Sequence, residues 1–364
     1  MTVEAPDIVA TSADAERQEL APLIILDNLE RYLAQRLPVQ TGEIELDRIG
    51  EGHSNITFLV RRGEHRCVLR RPPRPPLPPS AHDVLREWRL LDAVKDTPVR
   101  APRTLLACSD ESVIGSPFYV MEYVEGTVVT DEIPPPLDNP GERRRMALDL
   151  VDALAEVHAV DWRACGLEGF GNPTGYLERQ LRRFTGLWEV NKTRELPRVQ
   201  EVADWLARNL PSSPDATIVH GDYRLGNTMV ANDAPAHLIA IFDWELSTIG
   251  DPLADVGYLT VTWVQPGDPE DTMFSSLSAV TRRDGFPTRE ELVAHYEERS
   301  GRSMSDMHWY QALALWKAAV FMEGNYKRSL AGTTDDPYLA LFDEGVPMLA
   351  EAAWDISQSQ APNT

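Results

Sequence analysis

The first 20 residues are polar and acidic and develop no apolar period, so a mobile acidic leader is expected there. From Asp27, Leu29, Tyr32, Leu33 and Leu37 recur at helical spacing, which predicts a short helix with Asp27 as its cap. The period then changes. Residues 44–49, 57–62 and 66–70 are short, β-prone and separated by glycine-bearing turns, the pattern of three antiparallel strands. Six prolines between Pro72 and Pro79 exclude helix and sheet and predict a stiff, extended connector. Behind Ser80 as a cap, Val84, Leu85, Trp88, Leu90 and Leu91 form one helical face. Two more strands follow, at 103–109 and 117–123. Beyond Gly126 and a proline-rich loop the pattern turns helical. Met146, Leu150, Val151, Leu154 and Val157 mark a buried helix over 144–160. Short apolar runs at 218–219, 228–230 and 237–242 interrupt the helical region as strands. The expected division is a leader over 1–20, a β-rich lobe over 21–125 and a mainly helical lobe over 126–364.

Composition narrows the class. With 364 residues, 43% hydrophobic and 25% charged, the chain is long enough for two lobes and ordinary enough for a packed core. The net charge of −22 argues against a nucleic-acid binder and against docking on anionic membranes. No apolar run approaches a membrane span. The three cysteines, Cys67, Cys108 and Cys165, are too few and too scattered for a disulfide framework or a zinc ribbon. A reducing, cytoplasmic setting is expected.

The chemistry concentrates in one segment. His220-Gly221-Asp222 is followed by Asn227, five residues after the aspartate and between two β-prone runs. Asp243 then ends an apolar strand in Ile241-Phe242-Asp243-Trp244-Glu245. Gly250-Asp251-Pro252 and Asp255 come next. This series resembles the catalytic loop and metal-binding aspartate of the kinase fold, in the version used by aminoglycoside phosphotransferases and choline kinases. The loop of that family reads His-Gly-Asp-x-x-x-x-Asn, and every fixed position matches.

The resemblance implies phosphoryl transfer, which asks the protein for positioning and charge neutralisation. Asp222 would take the proton of an acceptor hydroxyl. Asn227 and Asp243 would hold Mg²⁺ through hard oxygens. Arg224 stands two places after Asp222, where protein kinases put a lysine, and would help neutralise the moving phosphate. His220, Asp251 and Asp255 are expected to support the loop rather than to react.

The nucleotide side carries weaker signals. Gly50-Glu51-Gly52-His53-Ser54 lies between two predicted strands, where a phosphate-cradling glycine loop belongs, with the Ser54 hydroxyl placed to donate a hydrogen bond to a phosphate oxygen. By the same resemblance Arg70 is the strand cation for the α- and β-phosphates, although the family's usual residue is lysine. Alternating strand parity points its neighbour Arg71 outward. Glu87 on the following helix would pair with Arg70. Around Met121, Glu122 and Val124 the chain resembles the hinge that reads adenine through its backbone, with Met121 lining the pocket.

Arg-Pro-Pro after the basic strand and the segment from Ser80 to Glu87 are similar to a branch whose relatives occur fused to acyl-CoA dehydrogenases. The expected architecture is therefore α+β, a two-lobed protein-kinase-like fold with a small β-rich N-lobe bearing one helix and a larger helical C-lobe. The expected activity is transfer of the γ-phosphate of ATP, or GTP, to a hydroxyl of a small acyl-type or cationic molecule. The alternative is a degenerate kinase fold that binds nucleotide without turnover.

Overall fold

The computed structural model describes residues 6–37, 42–50, 55–75, 82–269, 277–332 and 337–359. The chain divides into two compact units, one of residues 1–97 and 101–125, the other of residues 98–100 and 126–364.

The first unit is built on a five-stranded antiparallel sheet. Its strands are β3 (Ile44–Ile49), β4 (Ile56–Arg62), β5 (His65–Arg71), β6 (Thr104–Cys108) and β7 (Phe118–Glu122), in the order β3-β4-β5-β7-β6. The three predicted strands at its start are present and antiparallel. Helix α3 (Val84–Val94) starts later than the sequence suggests. Asp83 caps it, its carboxylate accepting from the Arg86 N–H at 3.0 Å, while Ser80 lies outside the described residues.

The other face of this sheet is covered by the N-terminal stretch. A strand β1 (Ile8–Val9) runs parallel to β2 (Ile24–Ile25), with a one-turn helix α1 (Ser12–Ala15) between them. Thr11 and Asp14 close a capping box on that turn. Helix α2 (Leu26–Ala34) follows. Leu23, Ile24, Leu29 and Leu33 join Phe58, Val60, Leu69 and Phe118 in one apolar core, and Ile8 packs against it. From residue 6 on, then, the expected mobile leader is folded chain. Asp27 does not cap α2. It lies in the first turn, 3.9 Å from Arg31, and Ile25 occupies the cap position without a side-chain bond.

This covering layer corrects a second expectation. Arg71 does have the opposite parity to Arg70, but its face is not solvent. It is 2% exposed, and its guanidinium donates to the carbonyls of Leu23, Ile114 (3.4 Å) and Pro72 (2.9 Å). Alternation fixes which face a side chain takes, not whether water lies there.

The second unit is mainly helical. Its helices are α4 (Pro140–His158), α5 (Tyr176–Asn191), α6 (Pro197–Arg208), α7 (Leu253–Thr262), α8 (Arg289–Ser300), α9 (Met307–Leu330) and α10 (Phe342–Gln358). Two small antiparallel sheets lie among them. β8 (Thr127–Val128), β10 (Thr228–Val230) and β11 (Leu238–Ile241) form one, in the order β11-β10-β8, and β9 (Thr217–Val219) pairs with β12 (Thr248–Gly250) in the other.

Helix α9 is the axis of this unit. Trp309 and Trp316 on it are fully buried, and their indole N–H groups donate to the carbonyls of Leu206 (3.1 Å) and Val199 (3.0 Å) on α6. Glu323 is also buried and accepts from the N–H and hydroxyl of Thr193, at 2.9 and 2.6 Å. Gly257 of α7 sits against the backbone of Tyr310, where any Cβ would collide, so α7 and α9 cross closely. Among the described residues no helix is long and apolar enough to cross a membrane.

Candidate active site

Strand β9 is buried throughout and delivers His220, Gly221 and Asp222 into the loop that follows. A 3₁₀ turn over Leu225–Asn227 then returns the chain to β10. That tight turn brings together residues five apart. The Asn227 side-chain amide donates to the Asp222 carboxylate at 2.7 Å and to the Asp222 main-chain carbonyl at 2.8 Å. With the nitrogen engaged there, Asn227 Oδ1 is turned to the opposite side of the amide as a hard oxygen donor.

Strand register brings Asp243 to the same end of the sheet. Thr228 lies opposite Ile241, and one step on the Phe242 N–H donates to the Asn227 carbonyl at 2.8 Å. Asp243 follows directly in the left-handed region, at φ 63° and ψ 58°. Such a backbone costs a non-glycine residue roughly 1 kcal/mol or more and collects at functional sites. Asn227 and Asp243 are thus held by adjoining backbone, each with side-chain oxygen, which fits the donor set that Mg²⁺ prefers.

His220 is fully buried, and its two partners fix its tautomer. Its Nδ1 accepts from the Asp222 N–H at 3.2 Å, so its Nε2–H donates to the Phe242 carbonyl at 2.8 Å. It ties the catalytic-type loop to the Asp243 loop and leaves no nitrogen for a substrate.

Asp255, 1% exposed on α7, anchors the loop from behind. Its two carboxylate oxygens accept the backbone N–H groups of His220 and Gly221, at 2.7 and 2.8 Å. The His158 ring meets the same carboxylate at 3.1 Å, and its other nitrogen meets the Tyr296 hydroxyl at 2.6 Å. Burial opposes the Asp255 charge, yet His158, then His220 and the Gly221 N–H, hold its pKa below the ordinary carboxylate value. Burial also lowers the His158 pKa, against the pull of Asp255. The pair is therefore a carboxylate facing a neutral imidazole. Asp251 accepts from the Leu253 N–H at 3.0 Å and the Tyr310 hydroxyl at 2.8 Å, and burial raises its pKa.

Two side chains face Asp222 itself. Arg224 Nε stands 3.9 Å from its carboxylate, and a Cβ at Gly226 would collide with that guanidinium. Tyr258, on α7 one turn after Asp255, presents its hydroxyl to the same carboxylate. Burial first, then Asp222, pushes the Tyr258 pKa well above the ordinary phenol value. Sequence reading missed Tyr258 and His158. The three-residue step from Asp255 to Tyr258 on one helix face was the available signal for the former.

In the first unit Arg70 and Glu87 meet as expected. Arg70 Nε donates to Glu87 Oε2 at 3.0 Å, and the carboxylate is 2% exposed. Gly50 takes φ +77°, a conformation suited to glycine, while Gly52 and Ser54 lie outside the described residues. Met121 is buried on β7, opposite Val68. The Glu122 N–H is already taken by the Arg103 carbonyl at 2.9 Å, and its side chain accepts from the Arg103 N–H at 3.0 Å. That removes one hinge donor expected for adenine. Among the described residues the Val124 backbone makes no hydrogen bond.

The chain is similar to known proteins. Residues 45–299 match the model of the phosphotransferase enzyme family. The mouse acyl-CoA dehydrogenase family member 10 is 34% identical over 340 residues, covering 92% of this chain and 31% of the relative. The chicken acyl-CoA dehydrogenase family member 11 is 34% identical over 342 residues, covering 91% and 43%. The chain therefore spans less than half the length of these relatives. A solved aminoglycoside phosphotransferase-like structure from Ralstonia eutropha has a TM-score of 0.77 at 30% identity, covering 91% of this chain and 98% of its own. At 14% identity and a TM-score of 0.59, an aminoglycoside phosphotransferase solved with AMP-PNP and hygromycin B shares the fold, covering 92% and 99%. With a kinase-like fold and a match over most of its length, the chain belongs to the phosphotransferase enzyme family.

Proposed function

We propose that this protein transfers the γ-phosphate of ATP to a hydroxyl of a small molecule. The observation that carries the reading is the Asp222–Asn227 contact, tied through Phe242 to Asp243. Asp222 accepts a hydrogen bond from the acceptor hydroxyl and takes its proton as the oxygen–phosphorus bond forms and the bond to the β–γ bridging oxygen breaks. Asn227 and Asp243 would hold Mg²⁺ through their side-chain oxygens. Among the described residues no three His, Cys, Asp or Glu side chains form a metal cage, so the remaining ligands would be phosphate oxygens and water, as Mg²⁺ commonly accepts. The bound cation would neutralise charge on the phosphates. Arg224 balances charge beside Asp222. Asp255 and His220 keep the loop in place.

On the nucleotide side, Arg70 binds phosphate oxygens, with Glu87 fixing its guanidinium. A fork-shaped cation can do this in place of the lysine usual in the family, and the intact pair weighs against a module without turnover. Gly50, Gly52 and Ser54 would contact the phosphates. Met121 and the Val124 backbone receive the adenine. The names of the relatives favour an acyl-type acceptor.

The test is ADP formation by the purified protein with ATP and Mg²⁺ over a panel of hydroxyl compounds, beside Asp222→Ala. Acceptor-dependent ADP release that disappears in the variant is expected. Equal release by both proteins would refute the assignment of Asp222.

A further inference from the structure

The chain has only four lysines. Three of them have an oxygen partner: Lys95 meets Asp92 at 2.8 Å, Lys192 meets Glu189 at 2.9 Å, and Lys327 donates to the Val190 carbonyl at 2.6 Å. Lys317, half-buried in the middle of α9, has none among the described residues. Its ammonium stands 4.9 Å from the centre of the Phe184 ring on α5. The guanidinium of Arg183 lies 5.9 Å from the same ring and has no acidic partner among the described residues either. Two cations thus share one aromatic ring with no ion-pair partner among the described residues, in a protein of net charge −22.

The arrangement is costly as packing alone. Like charges repel, and a lysine half-buried against an aromatic ring gives up part of its hydration. Burial lowers the Lys317 pKa to about 8, Asp255 opposes that fall, and Arg183 adds to it. Helix packing also locates the pair: α7, which bears Asp255, crosses α9 where Gly257 meets the Tyr310 backbone, two turns before Lys317, and Asp255 holds the loop that bears Asp222. The cations therefore stand on the helical flank of the catalytic loop, where α5 begins with the Tyr176 ring packed on Gly250.

We propose that Lys317 and Arg183 seat an anionic group of the phosphate acceptor, so that the acceptor is a hydroxylated anion rather than the polycation of an aminoglycoside enzyme. The inference rests on the phosphotransfer reading. Lys317 is a specificity residue in it, not a reacting one. Its ammonium anchors one end of the acceptor while the hydroxyl faces Asp222, and Arg183 supplies a second, solvent-facing contact.

Two measurements on the full chain test this. In the first, the four lysines are ¹³C-dimethylated and followed by NMR. The Lys317 signal is assigned from its loss in Lys317→Arg, and butyrate, inorganic phosphate and chloride are added at matched ionic strength. Saturable movement of the Lys317 signal with butyrate or phosphate, absent with chloride and weakened at least threefold in Arg183→Ala, is expected. The stronger of the two anions says whether the seat takes carboxylate or phosphate. Movement no greater than that of the other three lysines would overturn the proposal. In the second, each hydroxycarboxylate in the ADP-release panel is paired with its methyl ester. The acid should be favoured at least tenfold, and Lys317→Met should remove that preference through KM with kcat little changed. Equal use of acid and ester by the unaltered protein would also overturn it. Absence of ADP release with every compound, beside a responding Lys317 signal, would count against the phosphotransfer reading and leave the anion seat standing.

Discussion

The Asn227 amide holds the Asp222 carboxylate at 2.7 Å and the Asp222 main-chain carbonyl at 2.8 Å, so the direction of that carboxylate is set before any substrate arrives. As a general base it is expected to contribute roughly 10²–10⁴-fold in rate. Asp222→Ala should lower kcat by that order while the thermal shift produced by ATP and Mg²⁺ persists. Asn227→Ala should weaken both, because it removes a proposed cation ligand as well as the brace. Single-turnover ADP release, with melting curves alongside, separates the two.

Asp255→Ala should destabilise the whole helical unit. It orphans the buried N–H of His220, at a cost of about 1–3 kcal/mol, and removes the acceptor of the half-buried Gly221 N–H. Urea denaturation should show a clearly lower midpoint.

The same cluster gives stability a pH dependence. His158 takes a proton less readily folded than unfolded, so the unfolded chain binds more protons below the ordinary histidine value of 6.5. Stability should therefore fall as pH drops below 6.5. The Asp255 contribution has the depressed-carboxylate sign: it is present above 3.8 and lost as pH falls through its lower folded value. Melting temperatures from pH 7 to pH 5 should slope less in His158→Gln.

Arg70→Met leaves the Glu87 carboxylate buried without its cation, and breaking a buried pair costs about 3–5 kcal/mol. Arg70→Lys keeps a cation there. The methionine variant should lose stability and ATP binding together. The lysine variant should retain most of both, as calorimetry and nucleotide titration would show.

Tyr258→Phe removes one hydroxyl from beside Asp222. A hydrogen-bond-sized loss of about 0.5–1.5 kcal/mol corresponds to roughly a 2–13-fold fall in kcat. Comparing kcat with the thermal shift produced by ATP and Mg²⁺ separates this from a loss of nucleotide binding.

Much of this was legible in the sequence because it is local. The strand period of 44–49, the step from Asp222 to Asn227 and the helical placement of Glu87 after Arg70 all depend on spacing within one or two elements. What escaped depends on contacts between distant elements. Arg71 looked solvent-facing because nothing in β5 announces that residues 6–25 fold over its face. His158 looked like an ordinary helix residue because its partners, Asp255 and Tyr296, come some hundred positions later. Helix starts slipped for a smaller reason: Asp27 and Ser80 suit a cap chemically, and backbone geometry decides which such residue caps.

The buried guanidinium of Arg71 bears on how the gene is handled. Residues 21–25 supply both a carbonyl for Arg71 and part of the core behind β5. A version trimmed at the first recognised motif, near residue 45, would expose a charged side chain to an emptied apolar cavity on the back of the strand that presents Arg70. Shortened or fused forms made for expression should keep the chain from at least residue 6, and an inactive product of a deeper cut would say nothing about the chemistry of the intact protein.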